Sequence, residues 1–234
     1  MEHKRLTLFA GHYGSGKTNI AVNYAIALAA EGKRVCIADL DIVNPYFRTK
    51  DSAKELADAG VELVSPQFAN TNVDLPALPA EAYKLVTDRN TYGIMDIGGD
   101  DRGAYALGRY VPAIKEESCY RMVFVANCYR PLTRTPEEAL EVMREIEAAC
   151  GLQFTDIVNN SNLGSETTPD TVLASVDYMD KLSQLSGLPI FAHTAMTHVA
   201  EMLADKLSPV LPLQLQEKYF DLPSQKPGNR PLWG

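Results

Sequence analysis

The residues best suited to chemistry lie in GHYGSGKT, positions 11–18, which satisfies the pattern GxxxxGK[ST]. Glycines at 11, 14 and 16 permit backbone conformations and close approach that a Cβ would block. The N–H groups of Gly14, Ser15 and Gly16 can then converge on phosphate oxygens at a helix N-terminus. Lys17 adds a positive charge for β- and γ-phosphates, the Thr18 hydroxyl offers an oxygen to Mg2+, and Asn19 follows in the first helical turn. Such chemistry also needs carboxylates. ADLDIVNPYF carries Asp39 and Asp41, and IMDIGGDDRG carries Asp96 followed by Gly98 and Gly99. A strand ending in Asp and a glycine pair suits a Mg2+-side carboxylate beside a loop that senses a γ-phosphate. A plainer reading stands beside it, in which Asp39, Asp41 and Asp96 are strand-end groups that cap local backbone. Asp100 and Asp101 read as solvated loop charges.

Short apolar runs alternate with helical ones along the chain, and the motifs fall where the runs end. Strands are expected at 5–11, 34–41, 61–65, 92–99, 120–128, 155–162 and 188–195. Helices are expected at 17–32, 52–60, 79–88, 135–151, 168–187 and 197–207. The helix at 135 opens with Thr135 as N-cap, Pro136 in first position and Glu137 and Glu138 in the first turn. Continuous apolar strands separated by helices require a sheet covered on both faces. The expected fold is therefore α/β, a three-layer sandwich around a mostly parallel sheet of about seven strands. In such sheets ligands bind at the carboxyl ends of the strands, where Asp39, Asp41 and Asp96 fall. With no Gly/Ser linker and no repeat, residues 1–207 read as a single domain. Residues 208–234 read as a proline-rich tail ending near Trp233, able to wrap back on the domain or to meet a partner.

Composition narrows the partners. The 234 residues are 46% hydrophobic and 22% charged, ordinary for a globular chain. A formal net charge of −8 argues against a broad nucleic-acid footprint. No run approaches the roughly 18 apolar residues of a membrane span, and the N-terminus resembles neither a signal nor a transit peptide. Cys36, Cys119, Cys128 and Cys150 form no CxxC pair and are expected to be reduced thiols in a cytoplasmic protein with no metal beyond Mg2+.

Taken together, GHYGSGKT, ADLDIVNPY, IMDIGGD and IVNNSNLG resemble the MinD/ParA-type (SIMIBI) branch of P-loop ATPases, which includes the nitrogenase iron protein and nickel-insertion ATPases. The resemblance spans about residues 5–207. It implies ATP and Mg2+ as cofactors, with ADP after turnover. It makes Lys17, Asp41 and Asp39 the catalytic set, Asp41 orienting the attacking water and Asp39 beside it in the metal shell. Thr18, Asp41 and Asp96 become the metal-side residues, and Asn159 the contact to adenine, although the neighbouring Asn160 competes for that role. The segment around Thr194–Met196 would pack on the base. The plainer reading of both asparagines is a polar strand end. No NKxD guanine signature is present, which favours ATP over GTP.

His12 departs from the pattern of the dimer-forming members, which carry a lysine there that reaches a partner's phosphates. An imidazole is shorter than lysine and mostly neutral near pH 7. Compensating charge is then sought from Arg48 or Arg102, or the chain groups with lysine-lacking relatives such as dethiobiotin synthetase; His12 as a locally bonded loop residue is the plainer view. The first functional expectation is an ATPase switch acting on a partner protein or metallocentre, with a homodimer as a candidate state. The second is a small-molecule enzyme that activates or phosphorylates a metabolite, its pocket shaped by residues 66–79. A positioning ATPase on DNA or membrane comes third.

Overall fold

The computed structural model describes residues 3–40, 49–64, 82–98, 107–117 and 120–215. The strands are β1 (Leu6–Ala10), β2 (Val35–Leu40), β3 (Glu62–Val64), β4 (Tyr92–Ile97), β5 (Tyr120–Ala126), β6 (Asp156–Asn159), β7 (Ile190–Met196) and β8 (Val210–Leu213). They form one eight-stranded sheet in the order β3-β2-β4-β1-β5-β6-β7-β8. Every pairing is parallel. The helices are α1 (Lys17–Ala30), α2 (Ala53–Asp58), α3 (Tyr83–Thr87), α4 (Val111–Glu116), α5 (Pro136–Cys150), α6 (Pro169–Leu173), α7 (Val176–Ser186) and α8 (Thr197–Leu203).

Alternation along the strands builds a core on each face of the sheet. Leu6, Leu8 and Ala10 of β1 face a layer that includes Met143 and Ile146 of α5 and Met179 and Leu182 of α7. Phe9 faces the opposite layer, where Ile20, Ala21, Tyr24 and Leu28 of α1 pack. This is the three-layer α/β sandwich expected from the sequence, with one strand more than was counted.

The extra strand explains itself. Val210–Leu213 contains Pro212, which cannot donate to a ladder and is tolerated because β8 is the sheet's edge. Gln214 then exchanges two hydrogen bonds with the Asn23 side chain on α1, at 2.8 and 3.0 Å. The start of the expected tail thus wraps back on the sheet; residues 216–234, with Trp233, lie outside the described residues.

Two helical features also differ from expectation. The run at 168–187 is broken into α6 and α7 at Ser175. Its hydroxyl donates to the Val172 carbonyl at 2.6 Å, which satisfies the backbone locally and interrupts the helix. The helix α4 was not anticipated, because its run is short and contains Pro112; the proline falls in its first turn, where the missing N–H costs nothing. At α5 the expected capping is present: Thr135 accepts from the Glu138 N–H, and Glu138 accepts from the Thr135 N–H.

Candidate functional site

The loop between β1 and α1 is shaped by two glycines. A Cβ at Gly11 would lie 2.6 Å from the Val125 carbonyl oxygen on β5, so only glycine lets the loop leave the sheet this closely. Gly16 has φ +91°, a left-handed conformation, and its missing Cβ leaves room that the Asn160 side-chain amide occupies. Gly16 is also the N-cap of α1, with no side chain to bond the helix's first N–H groups and no acidic residue in the first turn. The helix therefore presents uncapped N–H donors and its positive dipole end, which suits an anion.

Lys17 is 5% exposed, and its ammonium reaches back to the His12 carbonyl at 3.5 Å. The Ser15 N–H donates to the same carbonyl at 3.1 Å, so in this structure it closes the loop rather than pointing inward as expected. Thr18 is buried in the first turn, and Asn19 is half-buried with its side-chain and main-chain oxygens both accepting from Asn23. Gly14 is exposed at the loop tip. His12 is half-buried with Nδ1 3.0 Å from the Tyr13 carbonyl, so the ring is engaged locally.

Asp39 and Asp96 are paired in register across β2 and β4, where neighbouring strands run about 4.8 Å apart. Each stands two residues beyond an isoleucine, Ile37 or Ile94, that packs in the α1 layer, so both carboxylates face the side of the sheet on which α1 begins. Both are buried, at 3% and 0% exposure. Two buried carboxylates side by side repel unless hydrogen bonds or a cation compensate. Part of that compensation comes from Thr49, whose hydroxyl donates to Asp96 Oδ2 at 3.0 Å. Thr49 had no signal in the sequence, since it lies just past ADLDIVNPYF without belonging to its pattern and gains its role only when the chain returns to β4. With Thr18, these carboxylates offer oxygen donors only, a set that fits a hard divalent cation. Among the described residues no group of three or more His, Cys, Asp or Glu could hold a metal ion. Asp41, Gly99, Arg48, Arg102 and residues 66–79 lie outside the described residues.

The two asparagines at the end of β6 point to opposite faces. Asn159, named as the base contact, turns away from the phosphate loop: its Nδ2 donates to Ser175 Oγ at 2.8 Å and to His193 Nδ1 at 3.0 Å. Its Oδ1 accepts from the Ser161 N–H. Since an amide N–H only donates, His193 Nδ1 is an acceptor and the ring's proton sits on Nε2. Burial pushes the His193 pKa down, partly opposed by Asp180. It is Asn160 that meets the loop, its Nδ2 donating to the Ser15 carbonyl at 2.6 Å while its Oδ1 accepts from the Thr194 hydroxyl at 2.6 Å. A further strand-end residue escaped the sequence reading: Asn127, just past β5, is fully buried and its Nδ2 has no hydrogen-bond partner among the described residues. An asparagine closing an apolar run was the available signal.

A glycine-shaped loop, a following lysine and an uncapped helix beside paired carboxylates define a P-loop nucleotide-binding domain. The sequence profile of the CobQ/CobB/MinD/ParA nucleotide binding domain (CbiA) matches residues 6–187, and the chain belongs to this family. No curated protein sequence matches significantly. Among solved structures, FtsY from Mycoplasma mycoides is similar at 15% identity and TM-score 0.51, over 80% of this chain and 58% of that one. The cell division protein FtsY from Thermotoga maritima is similar at 18% identity and TM-score 0.52, over 81% of this chain and 60% of that one. The chain thus spans well under two thirds of either relative, and the likeness is one of fold. No helix among the described residues is long and apolar enough to cross a membrane.

Proposed function

We propose that the chain is an ATP-binding, Mg2+-dependent ATPase that acts as a nucleotide-driven switch on a partner protein or metallocentre. The observation that carries this reading is the pairing of Asp39 with Asp96 on the face where the uncapped α1 begins. Phosphates would take the N-terminal N–H groups of α1 and the Lys17 ammonium. Thr18 and Asp96, with Asp39 adjacent, would hold Mg2+, which supplies charge neutralisation of the phosphates when bound. Asp41 is assigned to orient the attacking water. The adenine would lie at the ends of β6 and β7, against Asn160 rather than Asn159, because only Asn160 reaches the loop.

The test is ATP turnover with Mg2+ in the wild type and in Asp41→Ala and Asp96→Asn. Each change should lower turnover about 100-fold or more while Asp41→Ala leaves ATP binding intact. Absence of Mg2+-dependent turnover in the wild type would refute the ATPase reading. The local engagement of His12 favours a second reading, a small-molecule enzyme among the lysine-lacking relatives, because the ring is held against its own loop rather than extended as a lysine would be. Solution mass separates the two. A dimer formed with Mg2+ and a non-hydrolysable ATP analogue but not with ADP supports the switch, and turnover stimulated only by a metabolite supports the enzyme.

A further inference from the structure

Leu132 stands where the backbone asks for glycine. Past the end of β5 the chain turns at Arg130–Thr133, closed by the Thr133 N–H on the Arg130 carbonyl at 3.4 Å, with Pro131 second and Leu132 third in the turn. Leu132 has φ +65°, and among the described residues it is the one non-glycine residue with a left-handed φ. A turn with proline second and a positive φ third favours glycine there, since a Cβ is strained. The leucine side chain is nevertheless 61% exposed. Glycine would make the turn without strain, and no core is filled, so neither accounts for leucine. Exposure alone would be ordinary: Met202 on α8 is 62% exposed, but in a regular helix. Leu132 differs because it is held into solvent at a backbone cost, and such strain collects at contact sites.

The surroundings hold the turn rigidly. The Asn127 carbonyl accepts from the Thr133 hydroxyl at 2.8 Å and from the Arg130 N–H at 3.2 Å. The Tyr178 hydroxyl on α7 donates to the Thr133 carbonyl at 3.0 Å, and the Tyr129 hydroxyl to the Thr171 carbonyl on α6 at 2.8 Å. A side chain fixed in this way loses little freedom when a partner closes on it. Arg130 and Arg134 flank it, both exposed, and neither forms an ion pair among the described residues. The nearby Glu138 carboxylate is engaged by the main-chain N–H groups of Arg134 and Thr135. On a chain of net charge −8, an apolar knob between two arginines is a local reversal of sign that favours an acidic counterpart. One leucine offers too little apolar surface to hold a membrane.

We propose that the Arg130–Arg134 turn is a docking site for a partner protein, with Leu132 seated in an apolar socket and Arg130 and Arg134 meeting carboxylates on its rim. This gives the partner in the switch reading a chemistry, and it rests on that reading. The turn hangs from Asn127, two residues past Val125, whose carbonyl lies against Gly11 of the phosphate loop. A docked partner would therefore border the nucleotide site.

The experiment places a benzophenone amino acid at position 132 of the full chain, irradiates the cells that make it, and identifies the cross-linked protein and peptide by mass spectrometry. That protein is then purified and titrated against wild type, Leu132→Gly, the double variant Arg130→Glu with Arg134→Glu, and Met202→Gln. The expected partner differs from this chain and is cross-linked at an apolar surface bordered by Asp or Glu. Leu132→Gly and the charge reversal should each weaken its binding about 10-fold or more, and Met202→Gln should leave it unchanged. Because Leu132→Gly relieves the turn, its melting temperature should equal or exceed that of the wild type, which separates a lost contact from a lost fold. Cross-links to a second copy of this chain alone, no cross-link above the unirradiated control, or affinity indifferent to Leu132→Gly overturns the inference. So does Leu132-dependent binding to phosphatidylcholine–phosphatidylserine vesicles in place of a protein. ATP titration of the same wild type keeps the two readings apart. A protein that binds ATP but cross-links no partner overturns the docking site alone, and one that binds no ATP overturns the nucleotide reading.

Discussion

Gly16→Ala is the substitution through which the packing of the phosphate loop can be measured. At φ +91° an added Cβ costs about 1–2 kcal/mol from left-handed backbone strain alone. It would also collide with Asn160 Nδ2. Asn160 must then withdraw, giving up its 2.6 Å bond to the Ser15 carbonyl. A lost hydrogen bond with a buried acceptor left behind costs about 1–3 kcal/mol. The sum is about 2–5 kcal/mol, or about 4–20 °C in melting temperature for a chain of this size. Gly32 provides the control. Its φ of +78° is similarly left-handed, yet a Cβ there meets nothing within 4 Å. Gly32→Ala should cost about 1–2 kcal/mol, the backbone share only. Urea denaturation of the two variants isolates the collision as their difference, expected at about 1–3 kcal/mol. ATP affinity should fall in Gly16→Ala and stay at the wild-type level in Gly32→Ala. Equal stability of the two variants would refute the argument that Gly16 is required by the space Asn160 fills.

Three further outcomes follow from named contacts. Asn159→Ala should destabilise by about 1–3 kcal/mol, since Ser175 and His193 lose a buried donor, while ATP affinity changes little; Asn160→Ala should weaken ATP binding about 10-fold or more, both read by titration and melting. His193 has a folded pKa below its ordinary 6.5, so the native state binds fewer protons than the unfolded one and stability falls as pH drops below 6.5 towards the depressed value, by at most about 1.4 kcal/mol per pH unit. His193→Gln should flatten that acid limb in urea midpoints measured from pH 7.5 to 5.5. Arg5, which pairs twice with Glu117 and donates to the carbonyls of Leu85, Asp88 and Thr91, anchors the start of β1; Arg5→Ala should cost about 2–4 kcal/mol by chemical denaturation.

The sequence made the layer order and most of the sheet legible because the central strands are continuous apolar runs closed by turn signals, and their burial on both faces leaves no polar alternation to mislead. The departures have specific physical origins. β8 was hidden because Pro212 reads as a strand breaker, and only its place at the sheet edge removes the objection. The break between α6 and α7 turns on one hydroxyl, that of Ser175, which bonds the Val172 carbonyl and accepts from Asn159 on another element, a partner that local propensity does not reveal. Phosphate-loop residues were legible because their spacing is local, whereas the Asp39–Asp96 pairing depends on β2 and β4 being neighbours, which strand-end positions alone do not reveal.

The choice between Asn159 and Asn160 was a question of a different kind. Adjacent strand residues face opposite layers, so a role assigned one position off moves the side chain through the sheet. Resolving it requires knowing which face carries α1, which is tertiary information. Yet the loop carries a trace of the answer. Glycine at 16 is required by two demands at once: a left-handed φ, which a local pattern can encode, and an absent side chain where Asn160 must fit, which it cannot. The bond between Asn160 and the Ser15 carbonyl joins residues 145 positions apart. The phosphate loop and the end of β6 therefore form a single unit, and a displacement of either by bound nucleotide must move the other or break that bond. Such a link between the loop and the end of β6 is what the proposed nucleotide-driven switch would need.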